Sequence, residues 1–468
     1  MSAQLAVRPR RYVRAGLFAL LTILFAHPTS AQVTDQALTH ALDSAARVHV
    51  DSPVVPGVSV AVVRGGEVLL QRGYGFVDLE WGVRTPAEGD ASYEIGSVTK
   101  QFTAAAILLL AEEGRVDLDA DVTEYIDFDT RGRSIPVRRL LDHTSGVRSY
   151  TEMPIFGTLS ALDLPRDTLV RLFEAEPFDF EPGTAQIYNN SAFFLLGLMI
   201  ESLSGQTYED FVQERLFDPA GMTASYYCDE VAMRDRRAHG YDVVGPERLI
   251  RARYLDHLWP YAAGSLCSTV GDLVRWNQAL HGGRILSDVS YREMTTARPL
   301  EDGSPIQYAM GISDARRGDT PVHGHGGGIN GFVSMLAWYP EHQLSVVVLQ
   351  NSTAPPGAGS LASTFADLVL GPIPEPVARP FSGAMTELAG TYRGPARGQA
   401  MEIRVQVVDG RLELEVEGSD APVVPVHVGD HTWVADGVRY MFRRTGDGIS
   451  ELRFMGGSAH YVLKRTGS

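Results

Sequence analysis

Lysine is almost missing from this chain. Of its 41 basic residues only two are Lys, Lys100 and Lys464, and the rest are Arg. Arg keeps its proton in a protein, whereas a desolvated Lys can fall several units below its free pKa of about 10.4. Chemistry that needs a neutral amine is therefore confined to those two positions, and Lys100 is the one that opens an apolar helix. Cysteine is equally scarce, with Cys228 and Cys267 the only two. They allow one disulfide or two buried thiols, and no Cys/His spacing of a zinc site occurs. Beyond residue 31 no apolar run is long enough to span a bilayer. Positive charge is also deficient: 57 acidic residues against 41 basic ones give −16, which argues against nucleic acid as a ligand. No Gly-x-Ser-x-Gly occurs, which removes the nucleophile elbow of the α/β-hydrolases.

Apolar residues make up 44% of the 468 and recur throughout, so most of the chain folds. The exception is the front. Arg8, Arg10, Arg11 and Arg14 precede an apolar run from Ala15 to Ala26, and small residues end at Ala31. That is the build of a secretory leader over 1–31, cleaved after Ala31. It predicts a periplasmic or secreted protein without a stable membrane anchor, and it leaves the export route, general or twin-arginine, open. An oxidising destination permits a Cys228–Cys267 bridge.

Helical spacing marks residues 34–50. GVSVAVV from Gly57 and EVLLQRGYGF from Glu67 read as a hairpin around Arg64-Gly65-Gly66. From Ser97 to about Gly283 the pattern is mostly helical, and strands return at GFVSMLAWYP and QLSVVVLQN before the helix-like SLASTFADLVL. This predicts an α/β (α+β) domain over 32–371, with an antiparallel sheet flanked by helices and a helical insertion. Pro372, Pro374, Pro376 and Pro380 then make a stiff linker over 372–384. Alternating runs around Asp409-Gly410 and Asp436-Gly437 predict a small all-β domain over 385–468. It carries no cluster of catalytic residue types, and its Trp433–Phe442 run reads as core.

Ser97 and Lys100 stand three apart at the start of the helix FTAAAILLLAEEG, and so share a face. A hydroxyl nucleophile needs a base in reach, and a desolvated Lys one turn on supplies it. Farther on come Tyr188-Asn189-Asn190 ahead of an apolar helix, and His325-Gly326-Gly327-Gly328 running into a strand.

In these motifs and their order, the chain from about 35 to 370 resembles the serine β-lactamase and penicillin-binding-protein superfamily, in its class C-like branch with esterases and D-aminopeptidases. LLDHTSG, FEPG, FDPAGM and AAGSLCSTVGDLVRW resemble that branch too. The resemblance implies the β-lactamase-like fold and an acyl-enzyme on Ser97, with Lys100 as its activator and Tyr188 as a shared acid/base of lowered pKa. It implies that Asn190 holds the substrate carbonyl or the Lys, and that the N–H groups of Ser97 and Gly328 form an oxyanion hole. His325, Gly327 and Gly328 would line the substrate. No metal or organic cofactor is implied, and the partner is a small-molecule or peptide substrate. The segments that hold Cys228 and Cys267 would both border the cleft.

Many relatives carry Lys-Thr-Gly where this chain has His325-Gly326-Gly327. A partly charged His predicts weak, pH-dependent carboxylate binding, which favours esters, amides or D-residue peptides over β-lactams. A true β-lactamase and a penicillin-binding-like module with negligible turnover are the alternatives. His323 and His325 form a pair without the acid a metallo-hydrolase needs, and His143 reads as fixing a turn.

Overall fold

The computed structural model describes residues 35–229, 231–419, 421–446 and 448–467. The leader over 1–31 lies outside them. A seven-stranded antiparallel sheet is built from both ends of the main domain. Strands β1 (Gly57–Arg64), β2 (Glu67–Asp78) and β3 (Val83–Arg84) come from its start. Strands β4 (Ser313–Arg317), β5 (Thr320–Ile329), β6 (Phe332–Tyr339) and β7 (Leu344–Gln350) come from its end. They run in the order β3-β2-β1-β7-β6-β5-β4. β1 and β2 join through Gly65 and Gly66, both at positive φ, the turn that matches strand twist in a two-residue hairpin.

β1 and β7 are apolar on both faces because both faces are covered. Val58, Val60, Val62, Val346 and Val348 pack under helix α1 (Asp35–Val50) and a C-terminal helix, Ala358–Leu370, through Leu42 and Phe365. Ala61, Val63, Val347 and Leu349 face the larger core of the helical insertion. At its centre runs α2 (Thr99–Glu112), buried nearly all round, which is why its sequence shows no polar stripe. Beside it lies α3 (Asn190–Ser204), whose cap Asn189 accepts from Ala192 N at 2.8 Å. The insertion also holds the short strands Tyr226–Tyr227 and Leu266–Ser268 within the stretch read as mostly helical, and they form one small sheet with Tyr93–Glu94 just ahead of it. Two-residue strands are too short to show a period. Cys267 in that sheet forms a disulfide with Cys228, one residue past the Tyr226–Tyr227 strand, with Cα atoms 5.3 Å apart.

The segment 371–384 has no regular secondary structure, and beyond it eight antiparallel strands between Gly390 and Gly467 curl into one sheet. Its first and last strands, Gly390–Pro395 and Ala459–Gly467, pair with each other. Trp433, Tyr440 and Phe442 lie in its core. This domain docks on the main one: Gln186 and His460 exchange backbone hydrogen bonds of 3.1 and 2.9 Å.

Candidate active site

Ser97 sits on a tight turn, Gly96–Val98, that leads into α2. Gly96 has φ +50°, and a Cβ there would stand 2.9 Å from Gly328 N, so the turn can lie against the β5 edge only with glycine. Pairing of β5 with β4 ends at Gly324, which leaves its outer edge from His325 to Ile329 without a strand neighbour. The turn carrying Ser97 occupies that side.

Lys100 is completely buried, with its Nζ 3.3 Å from Ser97 Oγ, 2.7 Å from Asn190 Oδ1 and 2.8 Å from Ala263 O. Asn190 Oδ1 and Ala263 O only accept, so both take Nζ hydrogens in either protonation state. The Ser97 contact is the one that can reverse. A neutral amine, with two hydrogens spent on those acceptors, aims its lone pair at the Ser97 hydroxyl. Burial, helped by the nearby Arg397 charge, holds the Lys100 pKa well below that of a free lysine. Asn190 is locked in turn, its Nδ2 donating to Thr151 Oγ1 at 2.9 Å and its backbone N to Ser149 Oγ at 3.1 Å.

Tyr188 lies over this pair, its ring centroid 4.7 Å from Lys100 Nζ. Its Oη is buried and makes no hydrogen bond of normal geometry. Burial pushes the phenol pKa up, and the proximity of the Ser97 hydroxyl and of Arg397 only partly offsets this. This corrects the expectation of a lowered phenol pKa: taking the hydroxyl out of water disfavours the phenolate by more than its neighbours favour it. Tyr188 rests on His143, whose ring centroid is 4.5 Å away. His143, at φ +63°, accepts from Asn189 N at 3.3 Å through Nδ1 and is fully buried, a structural role in keeping with the turn reading.

His325 is not the substrate-facing group expected from its motif position. It is 8% exposed, with Nδ1 2.5 Å from Gly326 O and Nε2 2.9 Å from Tyr308 Oη. A carbonyl can only accept, so Nδ1 carries the proton and Nε2 accepts from the Tyr308 hydroxyl. Both nitrogens are committed inside the protein, and burial, with Lys100 nearby, lowers the ring pKa to about 3. Gly327 also faces inward: a Cβ there would meet Ile95 O at 2.0 Å, so close packing on the Ser97 segment demands glycine. Gly328 has open space at its Cβ position and lines the cleft.

That cleft has a volume of about 330 Å³. Besides Ser97, Asn190 and Gly328 it is bordered by Tyr150, Glu152 and Arg397. The last three escaped the sequence reading. Arg397 comes from the C-terminal domain, and no local pattern marks it. Among the described residues no group of three metal-ligating side chains gathers, and no helix is long and apolar enough to cross a membrane.

A strand-edge cleft with Ser, Lys, Tyr and Asn gathered from two helix starts defines the class, the serine β-lactamase and penicillin-binding-protein superfamily. The Beta-lactamase family model matches residues 42–370, and the chain belongs to that family. A D-aminopeptidase of Brucella anthropi is 30% identical over 318 residues, which are 68% of this chain and 59% of the relative. The chain thus spans under two thirds of the curated relatives it matches. The octameric penicillin-binding protein homologue from Pyrococcus abyssi superposes with a TM-score of 0.62 at 25% identity, over 90% of this chain and 99% of that one. A D-amino acid amidase from Ochrobactrum anthropi SV3, complexed with L-phenylalanine, gives 0.62 at 28% identity, over 71% and 97%.

Proposed function

We propose that the protein is an exported serine hydrolase that cleaves amide or peptide bonds of D-amino acids through an acyl-enzyme. The observation that carries this reading is the hydrogen-bond set of Lys100 Nζ, which leaves the amine one reversible partner, the Ser97 hydroxyl. Ser97 Oγ attacks the carbonyl carbon while its proton passes to Lys100. The oxyanion forms between the backbone N–H groups of Ser97 and Gly328, at a helix start and an open strand edge. Tyr188, kept as a phenol by burial, gives its proton to the leaving nitrogen as the C–N bond breaks, and recovers one from the Lys100 ammonium. Water then attacks the acyl carbonyl, and the same groups return the proton to Ser97.

The D-configuration rests on the relatives, a D-aminopeptidase and a D-amino acid amidase. The leader over 1–31 and the Cys228–Cys267 disulfide support export to an oxidising compartment. Fluorophosphonate labelling followed by peptide mass spectrometry tests the nucleophile: the adduct is expected on Ser97 and absent in Ser97→Ala. A panel of D- and L-alanyl anilides, a short aryl ester and a chromogenic cephalosporin tests the substrate class, with D-alanyl anilide turned over fastest. An unlabelled Ser97, or equal rates on the D- and L-anilides, overturns the reading.

A further inference from the structure

A larger groove lies beside the catalytic cleft, and the reaction above does not use it. Its volume is about 540 Å³ against about 330 Å³ for the cleft, and the two share only Leu255 and Asn330 among their lining residues. The groove is built where the segment 233–240 meets residues 251–255 and Phe332. The turn after β2 is tied to the same place. Leu79 N donates to Tyr241 Oη at 2.8 Å, Glu80 pairs with Arg251 at 2.8 Å, and Asp78 lies 3.3 Å from His239 Nδ1.

Its buried lining is apolar: Ala238, Leu255 and Phe332. Its charged lining is dominated by arginine, with Arg234, Arg237, Arg251 and Arg253 against one acid, Glu94. Glu94 is spent on Arg237, at 3.2 Å. Arg234 meets only the ring of Tyr226, its Cζ 4.5 Å from the centroid. Asp242 accepts from the backbone N of Arg253 at 3.4 Å, and the Arg253 guanidinium has no partner among the described residues. Two guanidiniums, each with five N–H donors in a planar fork, thus line the groove with no acid to match them. Large apolar side chains stand in water at the same place. Met233 and Tyr254 line the groove at 100% and 52% exposure, and Val231 and Trp81, close by in the chain to Met233 and Glu80, are 94% and 82% exposed. A concave site with an apolar floor, a few unmatched charges and exposed apolar residues at its mouth is built to bind.

We propose that this groove binds a single-chain amphiphile with an anionic headgroup, its chain on Ala238, Leu255 and Phe332 and its phosphate or carboxylate paired with Arg234 and Arg253. A guanidinium suits either headgroup. A neutral amphiphile leaves the two cations unmatched, and a bare anion leaves the apolar lining in water. Ser97 does not line the groove, so this ligand sits beside the reaction and is not the acyl group that is cut. The two sites are nevertheless joined: Arg253 O accepts from Asn330 Nδ2 at 2.9 Å, two residues past Gly328.

Calorimetry tests this on the chain from Gln32 onward, which keeps every described residue and drops a leader that is itself basic and apolar. Dodecyl phosphate, dodecanoate, dodecyl maltoside and inorganic phosphate are titrated separately, each amphiphile below its micelle concentration. At least one anionic amphiphile should bind at a single site, about tenfold or more tighter than both dodecyl maltoside and inorganic phosphate. Which of the two binds tighter assigns the headgroup as phosphate or carboxylate. The Arg234→Gln, Arg253→Gln double variant should lose that preference while its thermal melt stays that of the parent. Absence of binding by both anionic amphiphiles, equal binding of dodecyl maltoside or of inorganic phosphate, or a preference that survives the double variant overturns the proposal. No turnover enters this measurement, so a failure of the hydrolase reading shows separately, as an unlabelled Ser97.

Discussion

Gln186 and His460 exchange two backbone hydrogen bonds, Gln186 N to His460 O at 3.1 Å and His460 N to Gln186 O at 2.9 Å. The pair joins the C-terminal domain to the segment that presents Tyr188, two residues on. The Gln186 side chain extends the link: its Nε2 donates to Asp142 O at 2.9 Å and to Tyr308 O at 3.3 Å. Tyr308 in turn donates to His325. The domain read as accessory therefore braces two of the three motif segments. A second path runs Arg397–Glu152–Thr151–Asn190–Lys100, through contacts of 2.5, 3.5, 2.9 and 2.7 Å.

Lys100→Arg should lower the rate of Ser97 acylation at least about a hundredfold, because a guanidinium keeps the proton that the base must accept. The check is stopped-flow acylation by an aryl ester. In the wild type the base is the neutral amine, so the rate should rise with pH through the lowered Lys100 pKa and level off well below the ordinary lysine range.

Tyr188→Phe should separate substrates by leaving group. An anilide nitrogen needs a proton to depart, and its kcat should fall about a hundredfold or more. A p-nitrophenyl ester leaves as an anion and should lose much less. Equal losses on both would remove Tyr188 from the role of acid.

The ratio of kcat/KM for a cephalosporin to that for a neutral ester should be flat from pH 6 to 8. His325 is already neutral across that range, with its pKa near 3, and faces away from the cleft.

Stability should nevertheless fall in acid on account of the same ring. Its folded pKa of about 3 lies below the unfolded value of about 6.5, so between those limits the unfolded chain binds the extra proton. By pH 5 this costs about 2 kcal/mol for His325 alone. Thermal melts at pH 7 and pH 5 should show a smaller drop for His325→Gln than for the wild type.

The Cys228→Ser, Cys267→Ser double variant should lose about 4 kcal/mol in denaturant unfolding, from the loop entropy of a separation of 39 residues. The intact protein, unfolded, should show no free thiol towards Ellman's reagent.

What the sequence determined by itself was local. Ser97 and Lys100 are brought together by one helical turn, and Tyr188 and Asn190 by a helix start. The hairpins at Gly65-Gly66, Asp409-Gly410 and Asp436-Gly437 follow from residues that accept positive φ. Valine-rich β1 and β7 announced a sheet covered on both faces. Where partners lie far apart in the chain, only the tertiary structure decided. His325 carries the same letter whether it faces substrate or donates to Gly326 O, and burial against Tyr308 settles its charge. Two-residue strands such as Tyr93–Glu94 exist because a neighbouring backbone completes them. Arg397 is one arginine among many until the docking of the C-terminal domain sets it against Glu152 and Tyr188. Helical turns and hairpins are encoded by neighbours in sequence. The electrostatics of a cleft depend on which distant groups fold over it and exclude water.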